Sequence, residues 1–442
     1  MIIQDTIFAL SSGHPPAGVA IIRISGPGVR FGLETLIGSV PAPRSAVLSE
    51  IRDTSGLLDR GIVLFFPAPN SFTGEDVAEL QIHGSRASVT AVLSALGAIE
   101  GFRLAEPGEF TRRAFEHGRM DLTSVEGLSD LIRAETDAQR RQALGQADGN
   151  LKALYEGWAK RLTHARAMIE ADIDFSDEED VQGSVVDQIW PDLATLSQEI
   201  SDHIGKARTG EIVRSGYRVA LIGAPNAGKS SLLNCLANRD VAIVSDIPGT
   251  TRDAIEVRLD IGGQLVVLID TAGLRETQDA VELEGIRRTN LAAETADLVL
   301  ALRSSESIET SEGDNLRGTP ITLTVWTKSD LIGSDPRDSG GAEFLISSKT
   351  GSGIDTLIAA ISDRLMMLDM GANDPYPTRE RHVLLLRQCL SDLSPAIGET
   401  SAPLEIRSEH LRSASVSLGR ITGMVDVEDL LGVIFLEFCV GK

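Results

Sequence analysis

Gly223-Ala-Pro-Asn-Ala-Gly-Lys-Ser-Ser231 matches the pattern G-x-x-x-x-G-K-[ST]. It follows the apolar run Val219-Ala-Leu-Ile222 and opens the helical run Ser231-Leu-Leu-Asn-Cys-Leu236. Strand, glycine loop and helix in that order are the setting of a phosphate-binding loop. Glycine lets the backbone wrap phosphate oxygens with successive N–H groups pointing inward, and the helix N-terminus adds partial positive charge. Asn226, Ala227, Gly228, Lys229, Ser230 and Ser231 are therefore candidate contacts. Lys229 suits the β- and γ-phosphates, and the Ser230 hydroxyl suits Mg²⁺. A glycine-rich turn without a ligand does not account for so many matched features.

Downstream, strand patterns at 254–261 and 264–269 meet at Gly262-Gly263, a hairpin signal. Buried-strand runs follow at 297–302, 321–326 and 343–346, then a helix at 354–368. Strands alternating with helices predict a mostly parallel sheet over 214–372, with its ligand at the strand carboxyl ends. The base is indicated by Thr327-Lys-Ser-Asp330, at a strand end where guanine readers carry Asn-Lys-x-Asp. The Asp330 carboxylate can accept from guanine N1–H and N2–H, and the Lys328 stem can cover the base. Thr327 departs from the usual Asn. Ser347, Ser348 and Lys349 suit the last guanine-contact loop.

Asp270, in Asp270-Thr-Ala-Gly273, would hold Mg²⁺ through water, with Gly273 near the γ-phosphate. Thr251 is the natural second hydroxyl ligand, from a loop that orders around a triphosphate. Ras-type enzymes follow Asp-x-x-Gly with a water-orienting Gln; here the residue is Leu274. Glu282, in the first turn of a helical pattern, is the nearest candidate to orient water, or else a carboxylate stabilised by the helix dipole. Asn226 offers an oxygen to a monovalent cation beside the phosphates.

Residues 1–118 read as an α+β domain with strands at 17–26, 61–66 and 76–83 and helices at 31–37 and 87–96. Arg23 and Glu79 lie inside strand patterns, and taken alone read as a solvated sheet face. Residues 119–213 and 373–442 carry helical spacing throughout, with runs at 126–133, 139–144, 151–169, 185–204, 381–393, 404–418 and 427–438. The tail is short for a separate core, so the two helical parts are expected to form one discontinuous all-α domain around an inserted α/β module. The acidic run 172–180 interrupts this spacing and reads as a solvated loop or a helix cap; a divalent-metal site is the lesser alternative, since the run lacks the glycine and spacing of a calcium loop.

Forty-one Lys and Arg against 64 Asp and Glu give a net charge of −23, which excludes a broad basic face for nucleic acid. No apolar run reaches membrane-spanning length, Met1-Ile-Ile-Gln-Asp5 lacks the features of a secretory signal, and Cys235, Cys389 and Cys439 do not suggest a disulfide framework. A cytoplasmic location is the expectation.

With Gly249-Thr-Thr-Arg-Asp253, Asp270-Thr-Ala-Gly-Leu-Arg275 and the terminal Cys439-Val-Gly-Lys442, the chain resembles the MnmE (TrmE) family of tRNA modification GTPases, in the TrmE-Era-EngA-YihA-Septin-like superfamily. The resemblance covers the whole chain, including Asn70-Ser-Phe-Thr-Gly-Glu-Asp76, Pro107-Gly-Glu-Phe110 and Asp121-Leu122. It implies a potassium-stimulated GTPase, dimeric through its N-terminal domain, whose G domains meet when GTP is bound. Asn226 would ligate K⁺, with groups around Ser245, Ile247 and Thr250 completing the cage. The nucleotide contacts would extend over Asp246, Pro248, Gly249, Thr271 and Ala272. A flavin-containing partner of the GidA (MnmG) type would form a heterotetramer with it and hold most of the tRNA. Together they would modify C5 of the wobble uridine, giving aminomethyl or carboxymethylaminomethyl groups. The one-carbon unit would come from 5,10-methylenetetrahydrofolate, for which 5-formyltetrahydrofolate is an analogue. Arg23, Glu79, Arg119 and Lys442 would be the folate positions, which revises the solvated-face reading; Arg119 stands where the family often has Lys. Cys439 is either a reactive thiol or a small buried hydrophobe. The alternative is a ribosome-assembly or signalling GTPase without one-carbon chemistry, against which the tail and the N-terminal domain argue. A third reading makes 1–118 a dimerisation module only.

Overall fold

A computed structural model describes residues 5–174, 188–243, 256–270, 292–305, 322–331, 344–368 and 374–425, with 434, 438 and 441. The chain divides into two compact units, 1–129 with 146–193 and 391–442, and 130–145 with 194–390.

In the first unit, β1 (Thr6–Leu10), β2 (Ala17–Ser25), β3 (Val47–Asp53), β4 (Gly56–Phe66), β5 (Val77–Gly84) and β6 (Phe102–Leu104) form a sheet of order β3-β4-β5-β2-β1-β6. The expected strands at 17–26, 61–66 and 76–83 are β2, β4 and β5. Alternation along β2 and β5 sends Ala20, Ile22, Ile24, Ala78, Leu80 and Ile82 into one core, which α1 (Val29–Ile37) and α2 (Arg86–Gly97) cover. The opposite face holds a smaller cluster of Ile7, Ala9, Ala105 and Phe110, with Phe72 against it.

Beside that cluster, α3 (Glu109–Glu116) carries Arg113, whose side chain is 1% exposed. Its guanidinium donates to Asp5 Oδ1 at 3.0 Å, Glu75 Oε2 at 3.1 Å and Glu109 Oε1 at 3.0 Å. Ser25 Oγ donates to Glu75 Oε2 at 2.8 Å and hydrogen-bonds Thr73 Oγ1 at 2.7 Å. One buried cation therefore ties the first strand, the 70–76 segment and α3 together.

Among the helices of this unit, α6 (Asn150–Asp174) packs along the helix Leu404–Thr422. Buried Leu151, Tyr155, Trp158, Leu162, Ala165 and Ile169 recur at three- and four-residue intervals on α6, the spacing that puts them on one face. The Arg407 guanidinium lies 3.3 Å from the Trp190 ring centroid, and its Nε donates to Ala396 O at 2.7 Å. Of the acidic run 172–180, only 172–174 fall among the described residues, as the end of α6.

The second unit contains β7 (Tyr217–Ile222), α9 (Lys229–Ala237), β8 (Glu256–Ile261), β9 (Gln264–Asp270), β10 (Leu298–Ser304), β11 (Thr322–Thr327) and β12 (Phe344–Leu345). The sheet order is β12-β11-β10-β7-β9-β8; only β8 runs antiparallel to its neighbour. The β8–β9 hairpin turns through Gly262 and Gly263, at φ 62° and 81°, the backbone a tight two-residue turn requires. From β7 the chain pairs first with β9 on one side and then with β10 on the other, so the loop after β7 sits at a topological switch point. Among the described residues no helix is long and apolar enough to cross a membrane, and neither Cys235 nor Cys389 is in a disulfide.

Candidate nucleotide site

The carboxyl ends of the parallel strands bring the candidate residues together. Gly223 follows β7, and a Cβ there would lie 2.4 Å from Leu302 O, so only glycine lets the loop leave the sheet at this point. Asn226 takes φ 69° and leaves its side chain exposed, and Gly228, at φ 93°, caps α9. Lys229 is 7% exposed, and its Nζ donates to Gly223 O at 2.6 Å and Ala224 O at 3.0 Å, so its charge lies over the loop. Burial pushes the ammonium below its usual range, and the Asp270 carboxylate opposes that. At the end of β9, Asp270 is 3% exposed and accepts from Ser230 Oγ at 3.2 Å. A hydroxyl and a carboxylate oxygen side by side form the start of a hard-cation site.

The base-reading elements sit at the ends of β11 and β12. Thr327 Oγ1 donates to Ala227 O at 2.7 Å, so the residue that departs from the usual Asn still ties this strand end to the phosphate loop. Ser347 Oγ donates to Asp330 Oδ1 at 2.7 Å; this bond holds the Asp330 carboxyl below its usual range and fixes its orientation. Ser329 N donates to Ile346 O at 3.1 Å, which joins the two loops through their backbones. Lys328 adopts φ 60°, and Ser348 and Lys349 follow on the outer rim.

In the first unit, Arg23 and Glu79 face each other across β2 and β5. Arg23 Nη2 donates to Glu79 Oε1 at 2.8 Å, with side-chain exposures of 20% and 18%. The guanidinium lies 5.0 Å from the Phe72 ring centroid and 5.8 Å from that of Phe110. This is a half-buried, aromatic-flanked ion pair, not the solvated face that alternation alone suggests. Arg119 packs against the 70–76 segment, where a Cβ on Gly74 would lie 3.3 Å from its Cγ. The carbonyl of Gly441 accepts from Ser11 Oγ at 2.7 Å, and a Cβ at Gly441 would lie 2.1 Å from Leu10 O. Leu10 pairs with Ile22, the residue before Arg23, so Gly441 lies near this pair.

A family model described as MnmE helical domain matches residues 122–439, and one described as GTP-binding protein TrmE N-terminus matches 6–119. The chain belongs to the MnmE family. A relative called tRNA modification GTPase MnmE, from Rhizobium johnstonii, is 53% identical over 441 residues, covering 100% of this chain and 99% of the relative. Another of that name, from Brucella anthropi, is 51% identical over 442 residues, covering 100% and 99%.

Several expected site residues of this MnmE-family chain lie outside the described residues: Ser245, Asp246, Ile247, Pro248, Gly249, Thr250, Thr251, Thr271, Ala272, Gly273, Leu274, Glu282, Cys439 and Lys442. Sequence reasoning missed the roles of Phe72 and Phe110 against Arg23, and of Arg113. The Glu109–Arg113 spacing of four on a short helix was the available signal for the last.

The Thr327 tie is directly testable. Thr327→Val keeps the shape but leaves the buried Ala227 carbonyl without its donor, and is expected to destabilise the second unit by about 1–2 kcal/mol in urea unfolding. Thr327→Ser keeps the hydroxyl and is expected to stay within about 0.5 kcal/mol of the parent.

Proposed function

We propose that this chain is a potassium-dependent GTPase that, with a flavoprotein partner, modifies C5 of the wobble uridine of tRNA, using a one-carbon unit from tetrahydrofolate. The observation that carries the GTPase part is the convergence of Lys229, the Ser230–Asp270 pair and the Ser347–Asp330 pair at the carboxyl ends of one parallel sheet. Lys229 binds phosphate, Asp330 reads guanine, and Thr327 keeps the two loops in register. Ser230, Asp270 and Thr251 are the residues to hold Mg²⁺, which when bound neutralises charge between the β- and γ-phosphates. Membership of a family whose relatives bear the name tRNA modification GTPase supplies the tRNA part.

The finer assignments follow the same reading. Leu274 cannot orient water, so Glu282 takes that role, and Asn226 with Ser245, Ile247 and Thr250 holds K⁺, which supplies a positive charge beside the transferring phosphoryl group. The aromatic-flanked Arg23–Glu79 pair, with Arg119 and Gly441 bonded to Ser11, supports a folate site to which we also assign Cys439 and Lys442. Leu48 at 75%, Val19 at 56% and Ile62 at 39% exposure on the first sheet support a homodimer through 1–118. The net charge of −23 supports a division of labour in which a GidA-type FAD protein, completing a heterotetramer in the cytoplasm, holds most of the tRNA. We place the helical domain at 119–213 and 373–442 around a G domain at 214–372.

Replacing K⁺ by Na⁺ at constant ionic strength is expected to slow GTP hydrolysis by about tenfold or more, since neither a Gln nor an arginine finger supplies the missing stabilisation. Equal rates in the two salts would remove K⁺ from the account.

A further inference from the structure

A polar junction inside the second unit joins the nucleotide-binding sheet to helical segments. Strand β8 is hydrogen-bonded to the stretch before it: Ile243 N donates to Arg258 O at 2.8 Å, Asp260 N donates to Val241 O at 2.7 Å, and Ala242 opposes Leu259. Thr251, assigned to Mg²⁺ above, falls in the chain between these two flanks, which therefore meet at Arg258.

The Arg258 side chain pairs with the segment before a helix. Its Nη1 donates to Glu135 Oε2 at 2.8 Å, and two strand positions beyond β8 the Gly263 carbonyl accepts from Ala138 N at 3.0 Å. Glu135 and Ala138 flank the start of α5 (Asp137–Ala147). Gln139, 8% exposed, locks this corner: its Oε1 accepts from Glu135 N at 2.9 Å and Thr136 N at 3.2 Å, and its Nε2 donates to Arg214 O at 2.9 Å. Arg214 lies in α8 (Ala207–Ser215), just before β7, and its Nε donates to Thr378 O at 3.0 Å. Arg379 pairs with Asp130 at 2.8 Å, with side-chain exposures of 17% and 15%. The arm 130–145, the entry to β7 and the exit toward the helix Glu380–Gly398 are thus gathered at one cluster, and β8 contacts that cluster.

We propose that the Arg258–Glu135 pair and the Gly263–Ala138 bond make residues 135–139 a coupling element, which passes the position of β8 to the points where helical segments enter and leave the nucleotide-binding core. Arg258, Glu135 and Gln139 are positioning residues; none is assigned to nucleotide. The inference rests on the guanine-nucleotide reading above. It differs from an ordinary surface ion pair, worth under about 1 kcal/mol alone, because the Ala138–Gly263 backbone bond and the Gln139 side chain hold the same corner.

Hydrogen exchange of the full chain tests it, comparing GDP with GDP plus aluminium fluoride in K⁺. The amides of Glu135, Thr136 and Ala138 are expected to differ in exchange rate by about threefold or more between the two states. Glu135→Gln is expected to abolish that difference while leaving GDP affinity within about twofold, and the exchange Glu135→Arg with Arg258→Glu to restore it. Identical exchange in the two states, a difference that survives Glu135→Gln, or a charge swap that restores nothing would each overturn the coupling. Arg258→Gln serves the same purpose should Glu135→Gln fail to fold. Calorimetry run first separates the two failures, since absence of GDP binding would sink the guanine-nucleotide reading and the junction with it.

Discussion

Lys229→Ala is expected to lower kcat/KM for GTP by about 10³-fold, equivalent to about 4 kcal/mol of transition-state stabilisation. The ammonium lies over the loop formed by residues 223–228, with Nζ 2.6 Å from Gly223 O and 3.0 Å from Ala224 O. It is 7% exposed, so its charge acts where water screens it little. An alanine takes this ammonium away from the charge that builds on the phosphoryl oxygens during transfer, and leaves the backbone N–H donors, the helix terminus and the bound cations to stabilise it. Steady-state kinetics checks it; a loss smaller than about tenfold would mean the loop binds phosphate without Lys229.

Arg113→Met is the second large effect, expected to destabilise the first unit by about 3–5 kcal/mol. The substitution keeps much of the volume but leaves Asp5, Glu75 and Glu109 facing one another around a buried site without the guanidinium that bridges them. Acid dependence gives the effect a signature. Burial pushes Glu109 up, but hydrogen bonds from Arg103, Glu106 N–H and Arg113 outweigh it and hold the carboxyl below its ordinary 4.5. Asp5 behaves alike: burial raises it, and Arg103 and Arg113 bring it below 3.8. Both folded pKa values are depressed, so their stabilisation is complete above the unfolded values and is lost as pH falls through the folded ones. The difference between parent and variant is therefore expected to be full at neutral pH and to shrink below about pH 4. Urea unfolding at several pH values measures this, and a pH-independent gap would show that lost packing, not the ion network, dominates.

The nucleotide-binding fold was legible because its chemistry constrains local residue types. A glycine that must pass 2.4 Å from a neighbouring carbonyl and a lysine that must lie over the turn leave a pattern in the chain. The hairpin at Gly262-Gly263 was legible for the same reason, since both residues need positive φ. The first sheet was only half visible. β1 is five residues buried almost throughout, without alternation, and β6 is three residues long, too short to show a period. β3 carries Glu50 and Arg52, whose charges are satisfied by each other and by Arg60 on the next strand, a pairing that only register reveals.

The same limit explains the site residues. Arg23 and Glu79 read as solvent-facing from alternation, but the rings beside the Arg23 guanidinium come from residues 72 and 110, far away in sequence. Thr327 read as a departure from a motif. The structure gives it a partner, Ala227 O, one hundred residues earlier. Local pattern identifies which side chains can do chemistry; the contacts that hold them are set by distant parts of the chain.

We propose that this GTPase acts in modifying the wobble uridine of tRNA. Nucleoside mass spectrometry of tRNA from a strain lacking the chain tests it most directly. Aminomethyl and carboxymethylaminomethyl uridine are expected to be lost, and to return on complementation with the parent chain but not with Lys229→Ala. Unchanged wobble uridines in the deletion strain would contradict it.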